Sequence, residues 1–133
     1  MLPPEFREVL LARSEGGRLV LTTSYDNCIV GYPWPDWMEF EEKLHSIKNA
    51  PDIVRDFRRL VVGGAEIVSA DAQGRIRLSK EQLIFAGIEK EAVLQGDGPR
   101  FEIWNAGRLE QKWKQDFRAV EKPLNERGVE LVF

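Results

Sequence analysis

Apolar residues recur at the spacing of an amphipathic helix in three segments, 36–48, 51–62 and 105–118. Pro51 suits the first helical position of the second segment, and Asn105 is a good N-cap for the third. The apolar stripes that we expect to face the core are Trp37, Phe40, Leu44 and Ile47; Ile53, Val54, Phe57, Leu60 and Val61; and Leu109, Trp113 and Phe117.

A pattern of two short apolar strands, a polar turn between them and a following helix occurs twice. The first copy spans 18–47 and the second spans 90–118, and a short apolar helix is expected ahead of each, at 2–11 and at 78–87. Two such units predict a pseudo-symmetric α+β fold.

The second unit has an additional hairpin, predicted as strands at 65–70 and 75–78 joined by a tight turn. Asp71 at the first turn position can accept local backbone N–H bonds, and Gly74 at the fourth can take a positive φ. The equivalent hairpin of the first unit would lie ahead of Met1. We therefore divide the chain into a first unit with its helix (1–48), a connecting helix (49–64) and a second unit with its helix (65–118). The remaining residues, 119–133, are a flexible tail that is a mobile arm or an edge strand.

Composition restricts the possible functions. With 19 basic and 22 acidic side chains the formal charge is −3, so nucleic-acid binding would need a local basic patch and several copies of it. The single cysteine, Cys28, excludes an internal disulfide framework and fits a reducing cytosol. No apolar run approaches the ~18 residues of a bilayer span. We expect a cytoplasmic protein with no membrane partner.

Catalytic and metal chemistry have little support in the sequence. Cys28 and His45 are single residues without partners at ligand spacing, and Cys28 is expected to pack in the core. There is no nucleophile elbow and no phosphate-binding loop, so we expect no enzyme, no cofactor, no metal and no small-molecule substrate. A small hydrolase would need paired ionisable groups that nothing here suggests. The four tryptophans, at matched places in the two units, are expected in the core or at subunit contacts: Trp34, Trp37, Trp104 and Trp113.

The most informative feature is the Asp-x-x-Gly-Arg turn and the strand after it. Strand alternation places Arg75 and Arg77 on one face, and Lys80 follows at the start of the next helix. Two guanidinium groups on one face suit phosphates or guanine edges. The alternative is that Arg75 pairs with Asp71 and only locks the turn. Three further cations could lie nearby in the fold: Arg13, Arg18 and Arg100.

With these motifs in family order, the chain resembles the MraZ family of bacterial transcriptional regulators of the division and cell-wall gene cluster. The matching segments are 2–8, 26–33 with Trp37, 60–65, 71–76, 86–87 with 90–94, and 101–104. The resemblance implies two SpoVT/AbrB-like units forming a swapped-hairpin-type β-barrel with peripheral helices. It also implies ring-like homo-oligomers that bind direct repeats in promoter DNA, usually as a repressor of their own operon, and hence a nucleoid-associated protein.

In that family each unit contributes an Asp-x-x-Gly-Arg hairpin to the DNA-facing surface. Here only the second is present, so Arg75 carries over directly, with Asp71 and Gly74 shaping its turn. Arg77 and Lys80 are added from strand geometry. The competing hypothesis is a self-assembling protein-interaction module that has lost DNA binding together with its first hairpin.

Overall fold

A computed structural model describes residues 17–131. Five strands form one antiparallel sheet, and its helices lie on both faces. The strands are β1 (Arg18–Thr23), β2 (Ile29–Pro33), β3 (Glu66–Ser69), β4 (Ala92–Asp97) and β5 (Arg100–Asn105). The helices are α1 (Trp34–His45), α2 (Asp52–Gly63), α3 (Lys80–Ala86), α4 (Ala106–Trp113) and α5 (Glu121–Glu126), with a 3₁₀ helix at Phe117–Val120. The α+β class expected from the sequence is confirmed.

The strand order β3-β1-β2-β5-β4 places the two hairpins side by side. β1 pairs with β2, β4 pairs with β5, and β2 joins the hairpins by pairing antiparallel with β5, where Val30 lies opposite Glu102. The helix predicted at 78–87 is present as α3, whereas the one predicted at 2–11 lies outside the described residues. Each hairpin is followed directly by a helix, so the two halves are related by a pseudo-twofold through the β2–β5 contact.

The two faces of the sheet bury different clusters. On one face, Ala86 and Ile88 at the end of α3 pack against the sheet residues Leu19, Leu21, Ile29, Phe101 and Ile103. On the other, α1 and α2 pack through Trp37 and Val61, and α4 packs through Leu109 against Trp104. The alternation of strand side chains produces both clusters from the same strands.

The junction between the hairpins depends on a residue with no side chain. Gly31 on β2 lies opposite Phe101 on β5, and a Cβ at Gly31 would overlap the Phe101 ring. Phe101 is fully buried. The ring therefore occupies the space that a side chain at position 31 would need.

Three predictions about strands and the tail differ from the structure. Within residues 17–131 the sheet is open, with β3 and β4 as its edges, so the expected barrel is not closed. Residues 75–78 are not a strand: the Asp71 N–H to Arg75 carbonyl bond closes only the base of the turn, and beyond it this segment is held by the packing of Ile76 and Leu78. The tail at 119–133, predicted as an arm or edge strand, contains the end of the 3₁₀ helix and α5.

The helix boundaries also need correction. α1 ends at His45 and Ile47 is 44% exposed, because Ser46 caps the helix by donating to the carbonyl of Lys43. Pro51 is the N-cap of α2 rather than its first residue, and Ile53 is 76% exposed.

The helix predicted at 105–118 is also shorter than its apolar stripe indicates. α4 ends at Trp113 because the Asp116 side chain accepts from the N–H of Arg118 and starts a new turn at Phe117. Trp113 and Phe117 are therefore about half exposed instead of lying in the core. Trp37 and Trp104 are buried as expected, and Trp34 is half-buried.

Cys28 is in the core, as predicted. Its thiol has no solvent exposure and lies 3.4 Å from the Ser24 hydroxyl. Burial raises the pKa of Cys28 to about 11, more than the Ser24 hydrogen bond lowers it. The thiol is therefore protonated and shielded in the folded protein.

The Gly31–Phe101 contact makes a substitution at position 31 costly. We expect Gly31→Ala to lower the free energy of unfolding by about 1–3 kcal/mol, since the added methyl must displace the buried ring. Gly63→Ala is the matched control: its Cβ meets nothing within 4 Å at the end of a helix, and helix propensity favours it by up to about 1 kcal/mol. Urea unfolding measures both, and equal stability of the two variants would contradict the packing described here.

The buried thiol predicts slow alkylation. At pH 8 we expect iodoacetamide to modify Cys28 on the order of 100-fold more slowly in the folded protein than in urea, because the raised pKa depletes the thiolate. Mass spectrometry of quenched samples gives both rates. Comparable rates in the two states would show that Cys28 is accessible.

Candidate nucleic-acid interface

The turn at 71–74 is built by the Asp71 backbone and side chain. The Asp71 carbonyl accepts from the N–H of Gly74 at 2.9 Å, and its Oδ1 accepts from the N–H groups of Gln73 at 2.9 Å and Arg75 at 2.8 Å. Gly74 has a φ of 76°, the left-handed region that favours glycine. The Asp71 N–H also donates to the Arg75 carbonyl at 2.9 Å, which closes the base of the turn.

Arg75 forms an ion pair with Asp71 through its Nε atom. Its Nε donates to Asp71 Oδ2 at 2.8 Å, and we find no other bond from this guanidinium within residues 17–131. The two side chains are 59% and 44% exposed, so the pair adds little stability. The N–H of Arg75 and then its guanidinium hold the pKa of Asp71 below its usual value. The exposed Arg75 side chain therefore keeps its Nη donors unbonded within the described residues.

The segment after the turn alternates between solvent and core. Ile76 and Leu78 pack against the cluster around Phe101, while Arg75 and Arg77 are exposed. This arrangement keeps the alternation expected of a strand although the segment has no regular pairing. The apolar side chains fix the backbone, and the two guanidinium groups are presented on its outer side.

Lys80 follows as the first residue of α3. Ser79 is the N-cap of that helix: its hydroxyl accepts from the N–H of Gln82 at 3.2 Å and donates to Glu66 on β3 at 2.5 Å. The sequence analysis missed this N-cap, although the Ser-x-x-Gln spacing of residues 79–82 is a capping-box signal. In the described part of the chain neither Arg77 nor Lys80 has an ion pair. The exposed cations Arg75, Arg77 and Lys80, which we term the basic segment, thus follow one another along one anchored stretch of backbone.

Two other predicted cations lie at the same end of the sheet as the turn. Arg18 is opposite Ser69 on the neighbouring strand, and its guanidinium lies 5.1 Å from the centre of the Trp34 ring. Arg100 begins β5, three strands from β3, which is roughly 14 Å at the usual strand spacing. It is ion-paired with Asp97, and a hydrogen bond with the Tyr32 side chain raises the pKa of Arg100. Arg13 lies outside the described residues.

Residues 17–131 contain no candidate metal site. Within that range no group of three histidine, cysteine, aspartate or glutamate residues is placed to hold a metal ion. His45 is exposed at the end of α1, far along the chain from buried Cys28. Among the same residues every helix is too short or too polar to cross a bilayer.

A family model described as "MraZ protein, putative antitoxin-like" matches residues 61–127, which include the basic segment. Named relatives match along far more of the chain. The "Transcriptional regulator MraZ" of Nitratidesulfovibrio vulgaris is 53% identical over 133 residues, covering 100% of this chain and 89% of the relative. The protein of the same name from Oleidesulfovibrio alaskensis is 49% identical over 131 residues, covering 98% and 87%. That from Nitrosomonas europaea is 38% identical over 107 residues, covering 80% and 72%. With its hairpins, its turn and these matches in agreement, the chain belongs to the MraZ family.

Proposed function

We propose that this protein is a transcriptional regulator that binds promoter DNA through the basic segment Arg75, Arg77 and Lys80. The observation that carries the proposal is the anchored, solvent-facing row of cations that follows the Asp71 turn. Its relatives are named as transcriptional regulators, which is a non-enzymatic class. Under this proposal the protein carries out no reaction and needs no cofactor.

The geometry suits a division of roles on the DNA. Arg77 and Lys80, without ion pairs in the described residues, are suited to phosphate oxygens, and such contacts would set position and orientation. Arg75 is held by its Nε, so its two terminal amino groups remain directed outward as a pair of donors. A planar pair of donors matches the O6 and N7 acceptors of guanine in the major groove. Arg75 would therefore supply base selectivity.

Affinity would come from repetition of the segment. One basic segment on a protomer with a formal charge of −3 would bind weakly at physiological salt. Several copies in a ring-like homo-oligomer, each facing one direct repeat, would raise the effective concentration of every segment after the first. The swapped-hairpin barrel also belongs to this proposal, since the sheet is open at β3 and β4 within residues 17–131.

The proposed target is the promoter of the protein's own division and cell-wall operon, with repression as the outcome and the nucleoid as the location. A ring on consecutive repeats would cover a stretch of promoter and exclude polymerase by occupancy, without any conformational switch.

One observation favours the second candidate, a self-assembling interaction module that does not bind DNA. Arg75 is already paired with Asp71, as expected if the arginine only locks the turn. In that case removing Arg75 would affect the turn and nothing else, and Arg77 would have no function. The two candidates therefore differ in what the variants below do to DNA binding.

The first test removes the two guanidinium groups. We expect Arg75→Ala/Arg77→Ala to weaken binding to a duplex carrying the operon's direct repeats by at least about tenfold, because a base-reading arginine contributes about 1–3 kcal/mol. The slope of log affinity against log salt should also fall by about 1 for each phosphate that the variant no longer neutralises. Fluorescence anisotropy at several salt concentrations measures both.

Arg55→Ala/Arg59→Ala is the matched control for the first test. It removes the same charge from exposed ion pairs on α2, whose last turn contacts Thr23 at the opposite end of β1 from the Asp71 turn. Its affinity should stay within about twofold of the wild type. Equal binding by both double variants would rule out the basic segment as the DNA contact.

The second test separates the charge of Asp71 from its hydrogen bonds. Asp71→Asn keeps an acceptor for the two turn N–H groups but removes the carboxylate that holds Arg75, so DNA affinity should be unchanged or higher. Asp71→Ala removes the acceptor as well and should weaken binding several-fold, since each missing bond costs about 1 kcal/mol. If Asp71→Asn instead abolished binding, the ion pair itself would be the functional feature.

The lowered pKa of Asp71 also fixes the pH dependence of the turn. The ionised carboxyl stabilises the turn above its usual pKa, and this contribution is lost only as the pH falls through the lowered value. Asp71→Asn should therefore remove pH dependence of the turn on the acid side and leave neutral pH unaffected. The amide chemical shifts of Gln73 and Arg75 report it.

A further inference from the structure

The C-terminal part of the chain carries apolar side chains that stay exposed among residues 17–131. Trp113 is 55% exposed and Phe117 is 49% exposed, and their rings are a tilted pair with centroids 6.2 Å apart. Val120, Val129 and Leu131 farther along are also exposed by more than a third. An exposed aromatic pair is a candidate interaction site.

A cavity of about 350 Å³ lies on the helical face of the sheet, beside the β2–β5 junction. Its walls include four aromatic side chains, Tyr25, Tyr32, Phe40 and Phe57, and Val30 contributes from the sheet. Tyr25 is 76% exposed and its ring lies 6.2 Å from Phe57. The cavity has an open mouth and an aromatic lining, and its size falls in the range of specific binding pockets.

The charges around the cavity and around the aromatic pair are opposite. The charged residues lining the cavity are Asp26, Asp97, Glu102 and Arg100. Because Asp26 is already paired with Lys112 of the same chain, the other three groups leave a formal charge of −1. Residues 113–118, which leave out that paired lysine, contain one lysine, one arginine and one aspartate, for a formal charge of +1. Opposite potentials of this kind favour association of the two surfaces over association of either with itself.

Trp113 and Phe117 do not line the cavity of their own protomer. α4 is fixed against the 24–27 turn by Arg108, which donates to the Asn27 carbonyl at 3.2 Å, and by the Lys112–Asp26 ion pair at 3.4 Å. Leu109 is buried beneath the same helix. With α4 held in this way, Trp113 stays on the outside of the molecule.

We propose that the Trp113–Phe117 pair of one copy inserts into the aromatic, acidic cavity of a second copy. Each chain then has one donor segment and one acceptor cavity, and we propose a heterologous contact, in which the donor of each copy enters the cavity of the next. A head-to-tail contact of this type generates a ring when its rotation closes. The inference rests on the self-assembly part of the proposed function and names the surfaces that produce it.

The test uses two variants that each remove one half of the contact. Trp113→Ala/Phe117→Ala removes the donor pair, and Tyr25→Ala/Asp97→Lys opens the cavity wall and reverses a charge at its mouth. All four positions are at least about half exposed, so the fold should persist, as circular dichroism and urea unfolding will check. Light scattering after size-exclusion chromatography should show a multi-chain particle for the wild type and a single chain for each variant.

Mixing the two variants gives the decisive measurement. The donor variant retains its cavity and the cavity variant retains its aromatic pair, so an equimolar mixture should form a dimer of one chain of each. A contact made elsewhere would not be rescued in this way, and a reciprocal twofold contact would be recognised by a wild-type particle that stops at two chains. Ile53→Ala/Ile84→Ala, which removes two apolar side chains that are 76% and 69% exposed, is the control and should assemble like the wild type.

Each outcome supports or overturns the inference. Loss of assembly in both variants with a heterodimer on mixing supports it. Wild-type assembly that survives in either variant, or variants that do not pair on mixing, overturns it and leaves the proposed self-assembly intact. A wild type that is a single chain at every concentration overturns both, whereas the DNA contact is judged separately by the Arg75→Ala/Arg77→Ala variant.

Discussion

The close contact between Gly31 and the Phe101 ring is the constraint on which the rest of this structure depends. It lies where β2 meets β5, the pairing that makes two hairpins into one sheet. The Phe101 ring fills the core on one face of that sheet, and on the other face the same junction forms the floor of the aromatic cavity. Without close approach at this point there would be two hairpins with no shared core, and neither functional surface would be formed.

The basic segment depends on that core indirectly, through the apolar residues that alternate with its cations. Residues 75–78 are not paired as a strand, so their backbone is fixed by the packing of Ile76 and Leu78 on the Phe101 cluster and by the Ser79 cap that follows. The cations therefore project from a support that does not rely on ladder hydrogen bonds.

Electrostatics explains why the two proposed surfaces need each other. The protomer is weakly acidic, so a single row of cations competes poorly with salt for DNA. The acidic cavity and the basic aromatic pair would bring copies together by charge and apolar burial, and assembly would multiply the basic segment. In this arrangement the carboxylates that reduce the DNA affinity of one copy contribute to joining it to the next.

The sequence by itself determined the elements with a local physical cause. The Asp71–Gly74 turn follows from a side chain that accepts its own backbone N–H groups and a glycine that tolerates positive φ. The Asn105 cap and the burial of Trp37 follow equally from neighbours in the chain, and the order of motifs was enough to indicate the family.

Only the tertiary structure decided the features that depend on residues distant in the chain. At 75–78 the packing of Ile76 and Leu78 on the Phe101 cluster replaces the expected strand pairing, and the exposure of Trp113 depends on Asp116 ending α4 early. The cavity is formed by residues from both hairpins and two helices, whose convergence no periodicity records. Local hydrogen bonds can be inferred from spacing, but the competition between long-range partners is resolved only when the whole chain has packed.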